Sequence, residues 1–475
     1  MDTAEFKLQI LKKWIYEVGG FFRVDHPSFP AVDLQLSSST EIEILFGTRN
    51  RKINVNKKAN AFDDFPLKLQ ECMDTPETYL TDPDNPYGIK AEFDRALNDL
   101  LEEIRRISIR NKIPFLRKLP WPQAMPFAVA FTHDVDLTRK YGLKGLLKAI
   151  AGGKLKEAFQ VSGYLIKQKN PYWTFPELLK FYEDKNWLAT FFFLARPREG
   201  FSYRYNILTP RFRDLLKEIS DRGHEVALHS SLHAFQKPWR INKEKLRLEQ
   251  ALGATVAGVR QHYLRLRFPE AWQFFTENGL LYDSSCGFNE RVGFRAGTTF
   301  PFQTFNIHAK THYSLYEIPF SLMDYALFGS GREDSHHLEN RLNVLVDEVQ
   351  NCHGLLNILW HPSNLAEPPF RNAWKILMEQ LQPLQFYQDT LKNILEWWQR
   401  REAVQIKNWD YSDPEIQFQI TAPSPITNLA LELFYPGEVK SQTGSVQVKS
   451  VGQNRHHIQL DSIPATGRVV KLKLI

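Results

Sequence analysis

Cysteine is scarce: Cys72, Cys286 and Cys352 are the only three in 475 residues. They are far apart, odd in number and form no Cys-x-x-Cys. A disulfide framework is therefore not expected, and a zinc site built mainly from thiolates is excluded. A reducing compartment fits that usage. No apolar run approaches the ~20 residues that cross a bilayer, so no transmembrane segment is expected. The opening Met1-Asp2-Thr3-Ala4-Glu5-Phe6-Lys7 carries an acid at the second position and no long apolar core, so it is not read as a secretory signal. The expected location is cytoplasmic. Compact Lys/Arg patches interleaved with aromatics are missing, so no nucleic-acid partner is expected. The net charge of +6 is mild; it suits an anionic polymer or surface without demanding one. Internal repeats and low-complexity tracts are also missing, and the sequence leaves the oligomeric state open.

What is present is bulk. At this length two or three domains are expected, and aromatics at 13% supply material for cores and sugar-stacking surfaces. Residues 1–118 read as an accessory α+β block. Glu5–Tyr16 has helical spacing, Glu41–Phe46 reads as a strand, Thr75–Tyr87 as a loop and Ala91–Ile109 as an amphipathic helix. A proline-rich joint, Lys118–Pro126, leads into residues 119–403, where strands and helices alternate. Buried strands are expected at Phe127–Phe131, Trp187–Leu194, His224–Leu228, Val256–Arg260, Leu280–Asp283, Leu315–Pro319 and Leu355–His361. Thr174-Phe-Pro-Glu177 reads as a capping box opening one of the helices between them. This rhythm argues for a parallel α/β barrel, with a doubly wound sheet as the rival. Residues 404–475 change to period-2 segments separated by turns such as Pro436-Gly437. They predict a small antiparallel β domain, read as a sandwich.

The chemistry-bearing residues gather at predicted strand ends. The apolar run Phe127–Phe131 stops in Thr132-His133-Asp134-Val135-Asp136, two carboxylates one residue apart. His229 and His233 are four apart; on a helical turn they share one face and hold one metal ion, with Asp134 or Asp136 completing a set of two imidazoles and one carboxylate. Each signal has a bland reading. Two such histidines are often surface or core residues, and Asp-x-Asp often caps a helix. His361 in an apolar run is usually a backbone-bonded core histidine. Arg260, with Arg265 and Arg267, reads equally as a solvated basic edge, and Asp283 as a turn cap. Their joint placement in one α/β block favours a site.

The order of these motifs resembles the polysaccharide deacetylase (NodB-homology, carbohydrate esterase family four-like) family. Thr132–Asp136 is similar to its Thr-Phe-Asp-Asp motif. His229-Ser230-Ser231-Leu232-His233, after Gly223-His224-Glu225, matches its His-Ser/Thr-x-x-His. Gly258-Val259-Arg260, Asp283 and Leu359-Trp360-His361 stand for its remaining three motifs. The resemblance covers residues 125 to 400. It implies a distorted parallel (β/α) barrel of the NodB-homology type. It also implies a divalent metal, most often zinc, on Asp136, His229 and His233. Asp134 would be the general base and Arg260 would orient it; His361 would be the general acid, tuned by Asp283. Three departures stand out. Val135 separates the aspartates. His133 replaces a phenylalanine and would be an additional or competing ligand. Arg260-Gln-His-Tyr-Leu264 replaces the usual third motif; there His262 either lines the site or, as we read it, lies at the surface.

The expected function is a metal-dependent hydrolase removing N-acetyl groups from an amino-sugar polysaccharide or its precursor. Two alternatives are a metal-dependent amidohydrolase of a small linear or cyclic amide, and a catalytically degenerate glycan-binding protein.

Overall fold

The structure is a computed structural model. It describes residues 3–23, 28–36, 42–48, 51–54, 89–140, 147, 150–166, 170–195, 205–234, 237–328, 335–452 and 454–475. The loop expected at Thr75–Tyr87 and Cys72 lie outside these residues. Cys286 and Cys352 are buried free thiols.

The first helix, Thr3–Gly19, buries Ile10, Leu11, Trp14, Ile15 and Val18, the apolar face that the helical spacing predicts. It ends where Gly20 takes a left-handed φ of 70°, and a Cβ there would fall 1.9 Å from the Lys118 carbonyl oxygen. Only glycine lets the two backbones approach so closely. Strands β1 (Ala31–Leu36), β2 (Ile42–Thr48) and β3 (Arg51–Asn54) form an antiparallel sheet. The helix expected at Ala91–Ile109 spans Glu92–Asn111. Its Asp94 accepts hydrogen bonds from Thr298 and Thr299, and its Arg95 pairs with Glu348. The N-terminal block is thus bonded into the α/β unit.

Strand β4 (Phe115–Lys118) closes that block in sequence, yet it pairs with a C-terminal strand, as given below. Next come β5 (Ala128–Val135), β6 (Ala189–Leu194), β7 (Glu225–Ser230), β8 (Gly258–Gln261) and β9 (Tyr282–Asp283). They are followed by β10 (Phe302–Asn306), β11 (Thr311–Glu317), β12 (Leu322–Met323), β13 (Leu355–Leu359) and β14 (Tyr387–Gln388). The sheet order is β10-β11-β9-β8-β7-β6-β5-β13-β12, with β14 beside β5. Every pair is parallel except β10 with β11. Strands β5 to β9 add in one direction, unlike a doubly wound sheet. Among the described residues the ladder stays open between its edge strands, β12 and β10. The unit is thus α/β with a parallel-stranded sheet whose strands follow the order of the expected distorted barrel. β12 is two residues long and leads directly into the turn Asp324–Leu327.

All eight residues of β5 and all six of β6 and of β7 are buried, as expected for strands covered on both faces. Phe131 stacks on Trp187 at 5.2 Å between centroids, so the apolar run that ends in the two aspartates is pinned from outside the sheet. The expected capping box does not form: the Thr174 hydroxyl donates to the Pro362 carbonyl at 2.8 Å, tying that helix to the turn behind His361.

The C-terminal strands are β15 (Gln405–Ser412), β16 (Glu415–Thr421), β17 (Ile426–Phe434), β18 (Val439–Ser441), β19 (Val446–Ser450), β20 (Arg455–Ile463) and β21 (Arg468–Leu474). They form two four-stranded antiparallel sheets, β15-β16-β21-β18 and β19-β20-β17-β4. Glu432 of β17 lies buried between Arg117 of β4 and Arg455 of β20, locking the N-terminal strand into place.

Candidate active site

The carboxyl ends of β5, β7, β8, β12 and β13 converge, as side chains do in parallel α/β sheets. They floor a cleft of about 690 Å³ whose lining includes Asp134, Asp136, His229, His262, Tyr325 and His361. Register explains the convergence: His229 pairs with Arg260 across β7 and β8, and Leu359 with Thr132 across β13 and β5.

Asp136 Oδ1 lies 3.2 Å from His229 Nε2 and 3.3 Å from His262 Nδ1, and the two nitrogens are 2.9 Å apart. His229 Nδ1 stands 2.9 Å from the Arg260 carbonyl oxygen, which can only accept. In the neutral ring this fixes the Nε2 lone pair toward Asp136 and His262. Asp136 Oδ1 is buried with no well-formed hydrogen bond among the described residues. Burial alone would raise the Asp136 carboxyl, but the His262 and His229 imidazoles outweigh it and hold it well below the usual carboxylate range. Burial acts against a charged His229 ring too; Asp134 and Asp136 outweigh that and raise it. Three donor atoms crowded this closely call for a cation. Donors about 2.05 Å from a tetrahedral zinc lie about 3.3 Å apart, close to the spacing seen, so the residues fit a divalent metal.

This set differs from the expected one. His233 is exposed, on the turn after β7, and lies outside both the cleft lining and the grouped donors. The shared-face argument needs a helical turn at 229–233, but β7 runs to Ser230 and carries His229 as a strand residue. His262, expected at the surface, is 2% exposed and points into the cleft. It sits just past β8, beside Tyr263 and Leu264, which both adopt left-handed φ (57° and 51°). Such backbone is uncommon for these residues and clusters at functional sites.

On one side stands Asp134, 3% exposed, with Oδ2 3.6 Å from His229 Nε2. Arg260 Nη1 donates to Asp134 Oδ1 at 3.0 Å and to Thr132 at 2.9 Å. Its Nε and Nη2 donate to the Ser284 carbonyl and hydroxyl, and its guanidinium lies 4.3 Å from the Phe192 ring centre. Held at every end, it fixes the Asp134 rotamer.

On the other side His361 presents Nε2 3.7 Å from Asp136 Oδ2. Its Nδ1 bonds Asp324 Oδ1 at 2.8 Å, and its amide donates to Asp324 Oδ2 at 2.7 Å. Burial acts against a charged ring, but Asp324, then Asp136 and Asp134, pull His361 up to about 9. The carboxylate against His361 is thus Asp324, where Asp283 was expected. Asp283 is turned elsewhere: it accepts from the Ser285 hydroxyl and pairs across β9 and β11 with Glu317. Burial pushes it to about 6. His133 is no ligand here. Its Nδ1 lies 2.6 Å from the Trp360 carbonyl and its Nε2 2.6 Å from the Tyr182 hydroxyl, both away from the cleft, and burial lowers it to about 3.

Asp324 escaped the sequence reading, and His262 was weighed there but placed at the surface. A signal for each existed: both follow short apolar strands that end at the same sheet edge, Leu322-Met323 and Gly258-Val259.

No curated protein matches the chain. A putative polysaccharide deacetylase from Mycobacterium smegmatis is similar in structure at 20% identity, over 59% of this chain and 92% of that one, with a TM-score of 0.42. A probable polysaccharide deacetylase from Pseudomonas aeruginosa PAO1 gives 16%, 59%, 94% and 0.42, and Puue allantoinase gives 15%, 59%, 93% and 0.42. Residues 169–281, which include His229, His233, Arg260 and His262, match the family described as polysaccharide deacetylase. That match places a polysaccharide deacetylase-like segment, residues 169–281, inside the α/β unit of this chain.

Proposed function

We propose that the cleft hydrolyses N-acetyl groups on an amino-sugar glycan or its precursor, with a divalent metal, zinc first among candidates, held by Asp136, His229 and His262. The observation that carries this reading is the donor triangle at the cleft floor, flanked by an arginine-held carboxylate and a carboxylate-held imidazole. When bound, the metal supplies Lewis-acid polarisation of the amide carbonyl and a more acidic water. The chain supplies the proton traffic. Asp134 has one oxygen committed to Arg260, so Oδ2 is the atom that takes the proton from the attacking water. His361 is already charged at neutral pH, with Nδ1–H given to Asp324, so Nε2–H is the proton delivered to the departing amine. The glycosyl amine leaves neutral, and acetate is the second product. Arg260 and Asp324 are positioning residues: each acts through the group it holds.

The test is acetate release from N-acetylglucosamine oligomers by the purified full-length chain with added zinc. Release is expected from the wild type and should fall by about 10²–10⁴-fold in Asp134→Asn. Release that persists unchanged in that variant would remove the proposed base.

A further inference from the structure

Lys140, three residues after Leu137, which lines the cleft, and Asn170 bracket an insertion in the sequence, residues 141–169. The base of this excursion is clamped. Asn170 Oδ1 accepts from the Lys140 amide and the Tyr172 amide, each at 3.1 Å. The Lys140 ammonium pairs with Glu367, and the Tyr172 hydroxyl donates to the same carboxylate at 3.0 Å. Glu367 opens the helix Pro368–Leu381, six residues after His361. The excursion therefore starts at the rim of the cleft.

Its composition is unlike the rest of the chain. Residues 141–169 hold six lysines and one acid, Glu157, a net +5 against +6 for the whole protein, with no proline and no aspartate. Between the lysines lie leucine, isoleucine, phenylalanine and valine. Within it, the helix Leu155–Ile166 buries Val161, 1% exposed, against the protein. Phe159, two residues back and about 200° around the helix, is 81% exposed, and Leu155, on the same face as Phe159, is 78% exposed. Leu147 and Ile150 are also more than half exposed, and Lys154 and Lys156 flank Leu155 at the surface. Large apolar side chains on the outer face of an already docked helix, bordered by lysines, match an interfacial helix: apolar groups enter the acyl boundary and lysines meet anionic headgroups. Among the described residues no helix is long and apolar enough to cross a membrane.

We propose that these exposed side chains, Leu155 and Phe159 on one helix face and Leu147 and Ile150 ahead of that helix, with Lys154 and Lys156, dock the protein onto an anionic lipid bilayer, bringing the cleft rim to the membrane surface. Charge complementarity selects the partner: a neutral apolar protein groove would not match a segment of net charge +5, and a soluble polyanion would leave the apolar side chains in water.

The experiment is co-sedimentation of the full-length chain with vesicles of phosphatidylcholine alone or with about a third phosphatidylglycerol, a mix chosen for its anionic surface charge. Binding is expected only to the anionic vesicles and should weaken as salt rises. Leu155→Glu with Phe159→Glu should weaken it at least about tenfold, and Lys154→Glu with Lys156→Glu should lower it while leaving the far-ultraviolet spectrum unchanged. Equal binding to neutral vesicles, no binding to either, or binding indifferent to the Leu155/Phe159 changes would overturn the proposal. So would self-association abolished by Phe159→Glu, which would make the face an interface between copies. None of these readouts uses acetate release, so the docking and the deacetylase readings fail independently.

Discussion

Replacing Asp324 by asparagine removes the charge behind His361 while keeping the side chain's shape. Four hydrogen bonds are involved: from His361 Nδ1 and the Tyr325 amide to Oδ1, each at 2.8 Å, and from the His361 amide at 2.7 Å and Asn364 Nδ2 at 2.9 Å to Oδ2. An amide accepts at one atom only, so either both donors at Oδ2 or both at Oδ1 lose their acceptor. The electrostatic loss is the larger effect. Asp324 is the leading group raising His361 to about 9 against burial; without it the ring returns to its ordinary value of about 6.5 or below. At about pH 7.5 the charged fraction then falls from nearly all to roughly a tenth, so kcat/KM should drop about tenfold. The basic limb of the pH–rate profile should move down by about two units, and activity should recover toward pH 6. A bound divalent ion lowers both limits, so the displacement between wild type and variant is the quantity to measure. The sign carries into stability. The raised His361 stabilises the fold fully below about pH 6.5, and that contribution is lost as pH rises through about 9. A variant whose activity falls equally at every pH, with an unmoved basic limb, would refute the reasoning and leave Asp324 a packing residue.

His133→Phe should leave metal content unchanged, since neither ring nitrogen faces the cleft. It should cost about 1–3 kcal/mol in denaturant unfolding, because the Tyr182 hydroxyl and the Trp360 carbonyl each lose a buried partner. Glu432→Gln breaks a buried bridge to Arg117 at 2.7 Å and Arg455 at 2.6 Å; unfolding in urea should show a loss of about 3–5 kcal/mol. Burial alone would raise Glu432, but the two arginines hold it well below its ordinary range. Its contribution is therefore complete above about pH 4.5 and fades as pH falls further. The glutamine variant should show a shallower acid limb in a stability–pH curve.

The residues legible in the sequence share one property: each ends an apolar run long enough to read as a buried strand. Phe127–Phe131, His224–Leu228 and Leu355–Leu359 announced Asp134, Asp136, His229 and His361. Arg260 closed a shorter run with the same logic. Asp324 was hidden because β12 has only two residues, too few for any periodicity, and the Asp283 after a longer apolar stretch took its place. His233 was favoured over His262 by a spacing rule that holds on helices. The local backbone is a strand end and a turn, so sequence distance did not become spatial proximity. The same limit applies to the seam between N- and C-terminal blocks. Nothing in Phe115–Lys118 distinguishes a strand that closes its own unit from one that joins β17, about 310 residues later, since that choice is made by packing. The basic apolar excursion at 141–169 was passed over because its lysines are spaced by aliphatic residues, and a search for basic clusters with aromatics does not register them.

The most direct test of the central claim is the zinc content of the purified, reconstituted chain and of two single variants, His262→Ala and His233→Ala. The account predicts about one zinc per chain in the wild type and in His233→Ala, and near none in His262→Ala. Zinc retained in His262→Ala and lost in His233→Ala would contradict it.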